Sequence, residues 1–106
     1  MTEMKYNKLV RDKIPSIMES QGLKPETLIL DQPHYTYFLE AKLDEEVGEF
    51  HRDQNAEELA DILEVVFALA KTLECSQEEL MQVYQKKHDA RGSFDKRIFL
   101  ISKEEN

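Results

Sequence analysis

Apolar residues recur at helical spacing in two long segments in the middle of the chain. In the first segment, one arc of a helical wheel collects Tyr35, Leu39, Leu43, Val47 and Phe50. In the second segment, a wider apolar face collects Leu59, Ile62, Leu63, Val66, Leu69, Ala70 and Leu73. Apolar residues three and four positions apart predict an amphipathic helix that buries one side. The two segments therefore predict two helices that pack through these faces.

Four helices in all are predicted from residues that favour helix starts and stops. Asp, Asn and Ser side chains accept backbone N–H groups in the first turn, where proline is also tolerated. The predicted N-caps are Asp12, Asp31, Asn55 and Ser76, with Pro15 and Pro33 in the first turns of the first two helices. The predicted ends lie at Gln21-Gly22, near His51, near Leu73 and at Arg91-Gly92, where glycine is a natural stop.

Segments near the two ends of the chain favour extended structure. Residues 93–101 are rich in strand-forming apolar side chains, and a strand needs a partner. Residues 8–10 of the N-terminal arm, or residues 28–30, could supply that partner. The expected fold is mainly α, a helical bundle to which the N- and C-terminal arms could add a short two-stranded β element.

Four carboxylates lie on or beside the apolar arcs, where a solvated charged face would not place them. Glu46 falls inside the arc of the second helix, and Glu49 lies at its edge. Glu58 falls inside the arc of the third helix, and Asp61 borders it. The solvent side carries Glu45, Glu57 and Glu64. Burying an unpaired carboxylate is unfavourable unless it is protonated, paired or bound to a cation.

Acids at i, i+3 spacing on two facing helices suit a hard cation that takes oxygen ligands. Lys42 lies between Glu46 and Glu49 on the wheel, but one lysine cannot neutralise four carboxylates. Two other interpretations compete with a metal site. The acids could form a solvated face, and Glu58, three residues after Asn55, could complete a capping box. The wheel positions favour the metal site.

The length, net charge and cysteine content of the chain bear on its domain organisation, partners and cellular compartment. The 106 residues suit a single domain spanning 1–106. A net charge of -8 disfavours nucleic-acid binding through phosphate neutralisation. The single Cys75 cannot form an internal disulfide, which fits a reducing cytoplasm. No signal-type segment and no apolar stretch of membrane-spanning length is present, so we expect a cytoplasmic protein without a membrane partner.

Glu45-Glu46-x-x-Glu49 followed by Glu58-x-x-Asp61 resembles the motif of the MazG-like all-α NTP pyrophosphohydrolases. The neighbouring phosphoribosyl-ATP pyrophosphohydrolases have a similar motif. The opening YNKLVRDKIP and the closing RGSFDKRIFL resemble those of a small MazG-like subgroup labelled phosphoribosyl-ATP pyrophosphohydrolase-like. The resemblance therefore covers nearly the whole chain. The gap between the two acidic sets is shorter than is usual in the wider family, which implies a tight turn.

The resemblance implies a helical bundle that assembles as a homodimer or higher homo-oligomer. It implies hydrolysis of an NTP or dNTP to the monophosphate and pyrophosphate, as in nucleotide-pool house-cleaning. It further implies Mg²⁺, with Mn²⁺ as a substitute, bound by Glu46, Glu49, Glu58 and Asp61. These four and Glu45 are the candidate catalytic residues. A further carboxylate, Glu45 or Glu49, would position or deprotonate the attacking water.

The charge of a bound triphosphate also needs cationic side chains. The candidate phosphate-binding residues are Lys8, Arg11, Lys13, Lys42, Lys87 and Arg91. Ordinary surface charge is the alternative interpretation. Lys87 and Arg91 would also suit the dipole at the C-terminus of the fourth helix.

Two other functions stay open on the sequence. One is a phosphoribosyl-ATP pyrophosphohydrolase of histidine biosynthesis, with the same metal chemistry and a different substrate. The other is a non-catalytic helical interaction module that binds a divalent ion structurally, and substrate turnover would distinguish it from both enzymes. His34, His51 and His88 are too scattered to predict a zinc site.

The third helix is apolar around more than half of its circumference, since Phe67 lies far round from Val65. A chain with about four helices has too few neighbours to cover such a helix. We therefore expect a homo-oligomer, at least a C₂ dimer, with the third helix near the symmetry axis. The alternative is that residues 9–10 and 99–101 fold over the exposed side.

Overall fold

The computed structural model describes residues 3–105, which contain four α-helices and no strand. Helix α1 spans Ile14–Ser20, α2 spans Gln32–Asp53, α3 spans Ala56–Thr72 and α4 spans Gln77–Arg91. The predicted mainly α class is confirmed. No helix in the described range combines the length and the apolar character that crossing a membrane requires.

Helices α2 and α3 begin at the predicted N-caps and form a hairpin. Asp31 and Asn55 each accept the backbone N–H three residues further on, at 3.0 Å. Helix α2 continues to Asp53, two residues beyond the predicted end at His51. Gln54 then adopts a left-handed conformation, with φ of 47°, and α3 starts two residues later. This tight turn lets α3 run back along α2, and the two helices pack together along their length.

The start of α4 is as predicted, whereas that of α1 is not. Ser76 Oγ accepts the N–H of Glu79 at 3.1 Å, and Glu79 Oε1 accepts the N–H of Ser76 at 3.2 Å, which completes a capping box. Helix α1 has Lys13, not Asp12, at its N-cap position, and Lys13 makes no capping side-chain bond. The reason is that a hydrogen bond from Ile14 N–H to the carbonyl of Arg11 places Asp12 inside a preceding turn.

The terminal arms do not form the β element that the sequence suggested. Residues 98–101 lie in extended chain, and a turn closed by Arg97 N–H to the carbonyl of Phe94 precedes them. The N-terminal arm is held instead on the helical hairpin, where Lys8 pairs with Glu45 of α2. Neither arm forms a strand among residues 3–105.

The interior of the chain is small. Among the described residues, the buried apolar side chains are Leu39, Val65 and Ala70, at the contact between α2 and α3 and near the end of α3. Helix α4 contacts α3 alone among the helices, and α1 contacts none of them. The molecule measures 68 × 32 × 24 Å, so the hairpin is a rod with extensions rather than a closed bundle.

The Asn55 cap should contribute measurably to stability, because it fixes the start of α3 at the tight turn. We expect Asn55→Ala to lower the free energy of unfolding by about 1 kcal/mol in urea titrations. Asn55→Ser, which keeps a capping oxygen, should stay close to the wild type. Equal unfolding midpoints for Asn55→Ala and the wild type would contradict this role.

Candidate metal centre

Glu46 is a buried carboxylate in the middle of the hairpin. It lies on the packed face of α2, and only 6% of the residue is exposed. One oxygen, Oε1, lies 3.3 Å from Nζ of Lys42, one helical turn earlier. The other oxygen, Oε2, is buried with no hydrogen-bond partner. A buried carboxylate oxygen without a partner is uncommon, and a water molecule or a cation would satisfy it.

Helix α3 places two more carboxylates opposite Glu46. Glu58 is half-buried, and its Oε2 is also buried without a partner. Asp61 lies one turn further along α3 and is half-buried. Single oxygens of Glu46, Glu58 and Asp61 all lie within 4.8 Å of one another. The i, i+3 spacing on α3 and the packing of α3 on α2 together produce this cluster, which we call the carboxylate cluster.

Glu49, the fourth predicted ligand, borders the carboxylate cluster. It is half-buried on α2, one turn after Glu46, and it interacts with both Glu46 and Glu58. The structure therefore brings all four predicted metal ligands into one region, with three of them in the tight group. Glu58 does not form the competing capping box, since Asn55 caps α3 while Glu58 Oε2 stays unpaired.

Burial and mutual repulsion both disfavour the ionised forms of two of these acids. Burial raises the pKa of Glu46, and the nearby charges of Glu49 and Asp61 raise it further, although Lys42 opposes them. Desolvation likewise raises the pKa of Glu58, and interaction with the Glu49 carboxyl raises it further. A bound cation would remove both penalties, because it favours the charged form of each carboxylate.

Glu45 occupies a different environment from its neighbour Glu46. Its Oε2 lies 2.9 Å from Nζ of Lys42, and its Oε1 lies 2.8 Å from Nζ of Lys8. Hydrogen bonds to Lys42 and then to Lys8 lower the pKa of Glu45. Both oxygens are therefore committed to lysines, which leaves Glu49 as the freer of the two candidates for handling a water molecule.

Three of the six predicted phosphate-binding residues lie beside the carboxylates. Lys8 and Lys42 contact Glu45, and Arg11 Nη1 lies 3.4 Å from Oδ1 of Asp61. Burial opposes the charge on Lys42, but hydrogen bonds to Glu45 and Glu46 outweigh it and raise the pKa of Lys42. These cations border the cluster already, within reach of a ligand that bridges to it.

The other three predicted cations lie elsewhere on the chain. Lys13 is exposed just before α1. Lys87 and Arg91 are exposed on α4, where they line a shallow depression together with Lys86. None of the three makes an ion pair within residues 3–105.

Two charge interactions at the site were not predicted from the sequence. Arg11 also approaches Glu64, at 4.0 Å, so it bridges two acids of α3. Asp53, in the last turn of α2, contributes to the raised pKa of Glu58. No periodic signal marks Arg11, because it lies outside the helices. The sequence did not place Asp53 near the site, because the second helix was expected to end near His51, before Asp53.

The donor set fits a hard divalent cation. Glu46, Glu58 and Asp61 offer only carboxylate oxygens, as Mg²⁺, Mn²⁺ and Ca²⁺ prefer, and no histidine or cysteine joins the group. Two of the carboxylates present buried oxygens that lack any other partner. The residues present therefore fit the metal that the acidic motif predicts.

The chain matches no protein-family model, no curated protein and no solved structure. The resemblance of the acidic motif and of the two terminal segments to the MazG-like group therefore stays a prediction.

Without metal, ionisation of Glu46 should destabilise the fold. A carboxylate whose pKa is raised in the folded state loses stability as the pH rises from its unfolded pKa, about 4.5, through its folded pKa. With a chelator present to remove metal, we expect Glu46→Gln to have a higher melting temperature than the wild type near neutral pH. At about pH 4 the two melting temperatures should differ little. Glu40→Gln, an exposed change on the same helix, is the control. Parallel pH profiles for Glu46→Gln and the wild type would contradict the effect of burial.

Proposed function

We propose that the chain is an Mg²⁺-dependent nucleoside triphosphate pyrophosphohydrolase, which releases pyrophosphate from an NTP or dNTP. The observation that carries the proposal is the carboxylate cluster, in which one oxygen each of Glu46, Glu58 and Asp61 lie within 4.8 Å of one another. Glu46 and Glu58 each also have a buried oxygen without a hydrogen-bond partner. The choice of a nucleotide as substrate comes from the resemblance of the acidic motif and terminal segments. Mn²⁺ would replace Mg²⁺ with the same ligand set.

The carboxylate cluster explains why a divalent ion would be required. A triphosphate is an anion, and the four carboxylates of the site would repel it in the absence of a bridging cation. Glu46, Glu58 and Asp61 would hold the ion, with Glu49 as the fourth ligand. When bound, Mg²⁺ supplies charge neutralisation, polarises phosphoryl oxygens and lowers the pKa of a coordinated water.

The protein's own groups would then position the substrate and move protons. Lys8, Lys42 and Arg11 border the carboxylates and would stabilise negative charge on phosphoryl oxygens. Glu49 is the candidate that would accept a proton from the attacking water, because both oxygens of Glu45 are occupied by lysines. Lys13, Lys87 and Arg91 would take part only if the arms or a second chain brought them close.

The proposal includes a cytoplasmic enzyme of one domain that acts as a homodimer or higher homo-oligomer. The mainly helical fold is compatible with a bundle, which the chain does not close by itself. A phosphoribosyl-ATP pyrophosphohydrolase would use the same carboxylates. A pyrophosphate-release screen over canonical, damaged and deoxy nucleotides, together with phosphoribosyl-ATP, would therefore identify the substrate.

Neutral amides at the cluster should abolish turnover. We expect Glu46→Gln and Asp61→Asn to lose Mg²⁺-dependent pyrophosphate release, because each removes one charged ligand. Far-ultraviolet circular dichroism should show nearly unchanged helicity in both variants, and Glu40→Gln should keep wild-type activity. Full activity in both cluster variants would refute the metal assignment.

Mg²⁺ should stabilise the folded protein, because its ligands come from two helices that meet only in the native state. At a concentration of 100 times the dissociation constant, one bound ion adds about 2.7 kcal/mol. The melting temperature should therefore rise with Mg²⁺ in the wild type and much less in Glu46→Gln. A shift without any turnover on any nucleotide would favour the metal-binding interaction module, and no shift at saturating Mg²⁺ would argue against the site.

A further inference from the structure

The C-terminal quarter of the described chain lies almost entirely in solvent. Every residue from 81 to 105 is exposed, including the apolar residues Met81, Val83 and Tyr84 of α4. In residues 93–101, which we call the C-terminal arm, Phe94 is 97% exposed, Phe99 87% and Ile101 88%. Contiguous exposed apolar side chains of this size on an otherwise polar protein usually mark an interaction surface.

The surface of the chain is too large for a self-sufficient monomer. It exposes 10077 Å², whereas a compact monomer of this mass exposes about 6,200 Å². Its radius of gyration is 18.7 Å, against about 13 Å for a compact domain of this length. The excess surface exceeds the roughly 800 Å² per partner that a stable interface buries. A second chain would therefore have ample area to cover.

Charge is distributed unevenly, and its distribution indicates what the C-terminal arm contacts. Residues 81–101 contain five lysine and arginine residues and two aspartates, although the whole chain has a net charge of -8. Helices α2 and α3 of the hairpin together carry ten of the 22 acidic residues and only three lysine or arginine residues. The cationic segment therefore complements the hairpin, and two whole chains with equal negative charge would repel each other without such a contact.

The arm does not reach the hairpin of its own chain. The hydrogen bonds and ion pairs of residues 93–105 stay within that segment, and α4 contacts only α3 among the helices. The hairpin also keeps an exposed apolar stripe, because Leu59 and Leu63, one turn apart on α3, are 47% and 52% exposed. A single chain therefore exposes both the apolar C-terminal arm and an apolar stripe on the hairpin on which an arm could dock.

We propose that the C-terminal arm and α4 of one chain dock on the α2–α3 hairpin of a second copy, in a reciprocal homodimer. Phe99 and Ile101 cover the stripe at Leu59 and Leu63, and Lys96 and Arg97 lie against acidic side chains of the hairpin. The exchange covers apolar surface on both chains and closes the bundle that one chain leaves open. It rests on the homo-oligomer that the proposed function includes, and a failed dimer test would leave catalysis by the carboxylate cluster untouched.

Analytical ultracentrifugation of the full chain tests whether the C-terminal arm holds the dimer together. We expect the wild type to sediment as a dimer at micromolar concentration, and Phe99→Asp and Ile101→Asp to sediment as monomers with unchanged helicity. Ile29→Asp is the matched control, because Ile29 is 96% exposed but lies in the connector before α2, and it should stay dimeric. A monomeric wild type, including one in which the arm folds back on its own chain, would overturn the proposal. So would dimeric Phe99→Asp and Ile101→Asp variants.

Further variants test the apolar stripe on α3 and the contribution of the arm's positive charges to dimer stability. Leu63→Asp should also give monomers, since it places a charge in the stripe under the partner's arm. Reversing charge at Lys96 and Arg97 together, with Glu at both positions, should weaken the dimer at least tenfold at low salt. Lys24→Glu, in the connector before α2, should leave the dimer intact. A dimer indifferent to Leu63→Asp would place the interface elsewhere and refute the proposed acceptor.

Discussion

Acidic side chains between α2 and α3 are the constraint on which the rest of the structure depends. Glu46 and Glu58 lie on the faces by which the two helices pack, so the hairpin cannot close without taking carboxylate oxygens out of water. Lys42 satisfies one oxygen of Glu46, and nothing in the described chain satisfies the other. The raised pKa values of Glu46 and Glu58 are the consequence. A bound cation would reduce this cost, because it favours the charged form of each carboxylate.

These carboxylates also determine the path of the N-terminal arm. Lys8 and Arg11 reach back to Glu45 and Asp61, which fastens the arm to both helices of the hairpin. The Arg11–Asp61 contact is largely exposed, and exposed pairs contribute about 0–1 kcal/mol. Arg11 could therefore leave Asp61 at small cost if a cation were bound there. It would then be free to contact an anionic ligand beside the cluster.

The α2–α3 hairpin holds the carboxylate cluster, and its small interior also leaves surface that a second chain would cover. Leu39, Val65 and Ala70 are the buried apolar residues among residues 3–105, and this small interior leaves both flanks of the hairpin open. The flanks that α1 and α4 do not cover are the surfaces that a second copy would cover. The proposed dimer would thereby hold the two helices of each hairpin together, and with them the spacing of the carboxylates.

The starts of α2, α3 and α4 and the helix faces of the candidate metal ligands follow from the sequence alone, because both depend on neighbours within a few residues. Asp31, Asn55 and Ser76 cap the helices from three residues away, and helical spacing places Glu46 and Glu58 on the packed faces. Contacts between distant segments were decided only by the tertiary structure. Local propensity predicted strands at both ends, but pairing them needs the arms to meet, and ion pairs on the hairpin hold the N-terminal arm elsewhere. The contact of Arg11 with Asp61 spans 50 residues, and no local pattern encodes a contact at that separation.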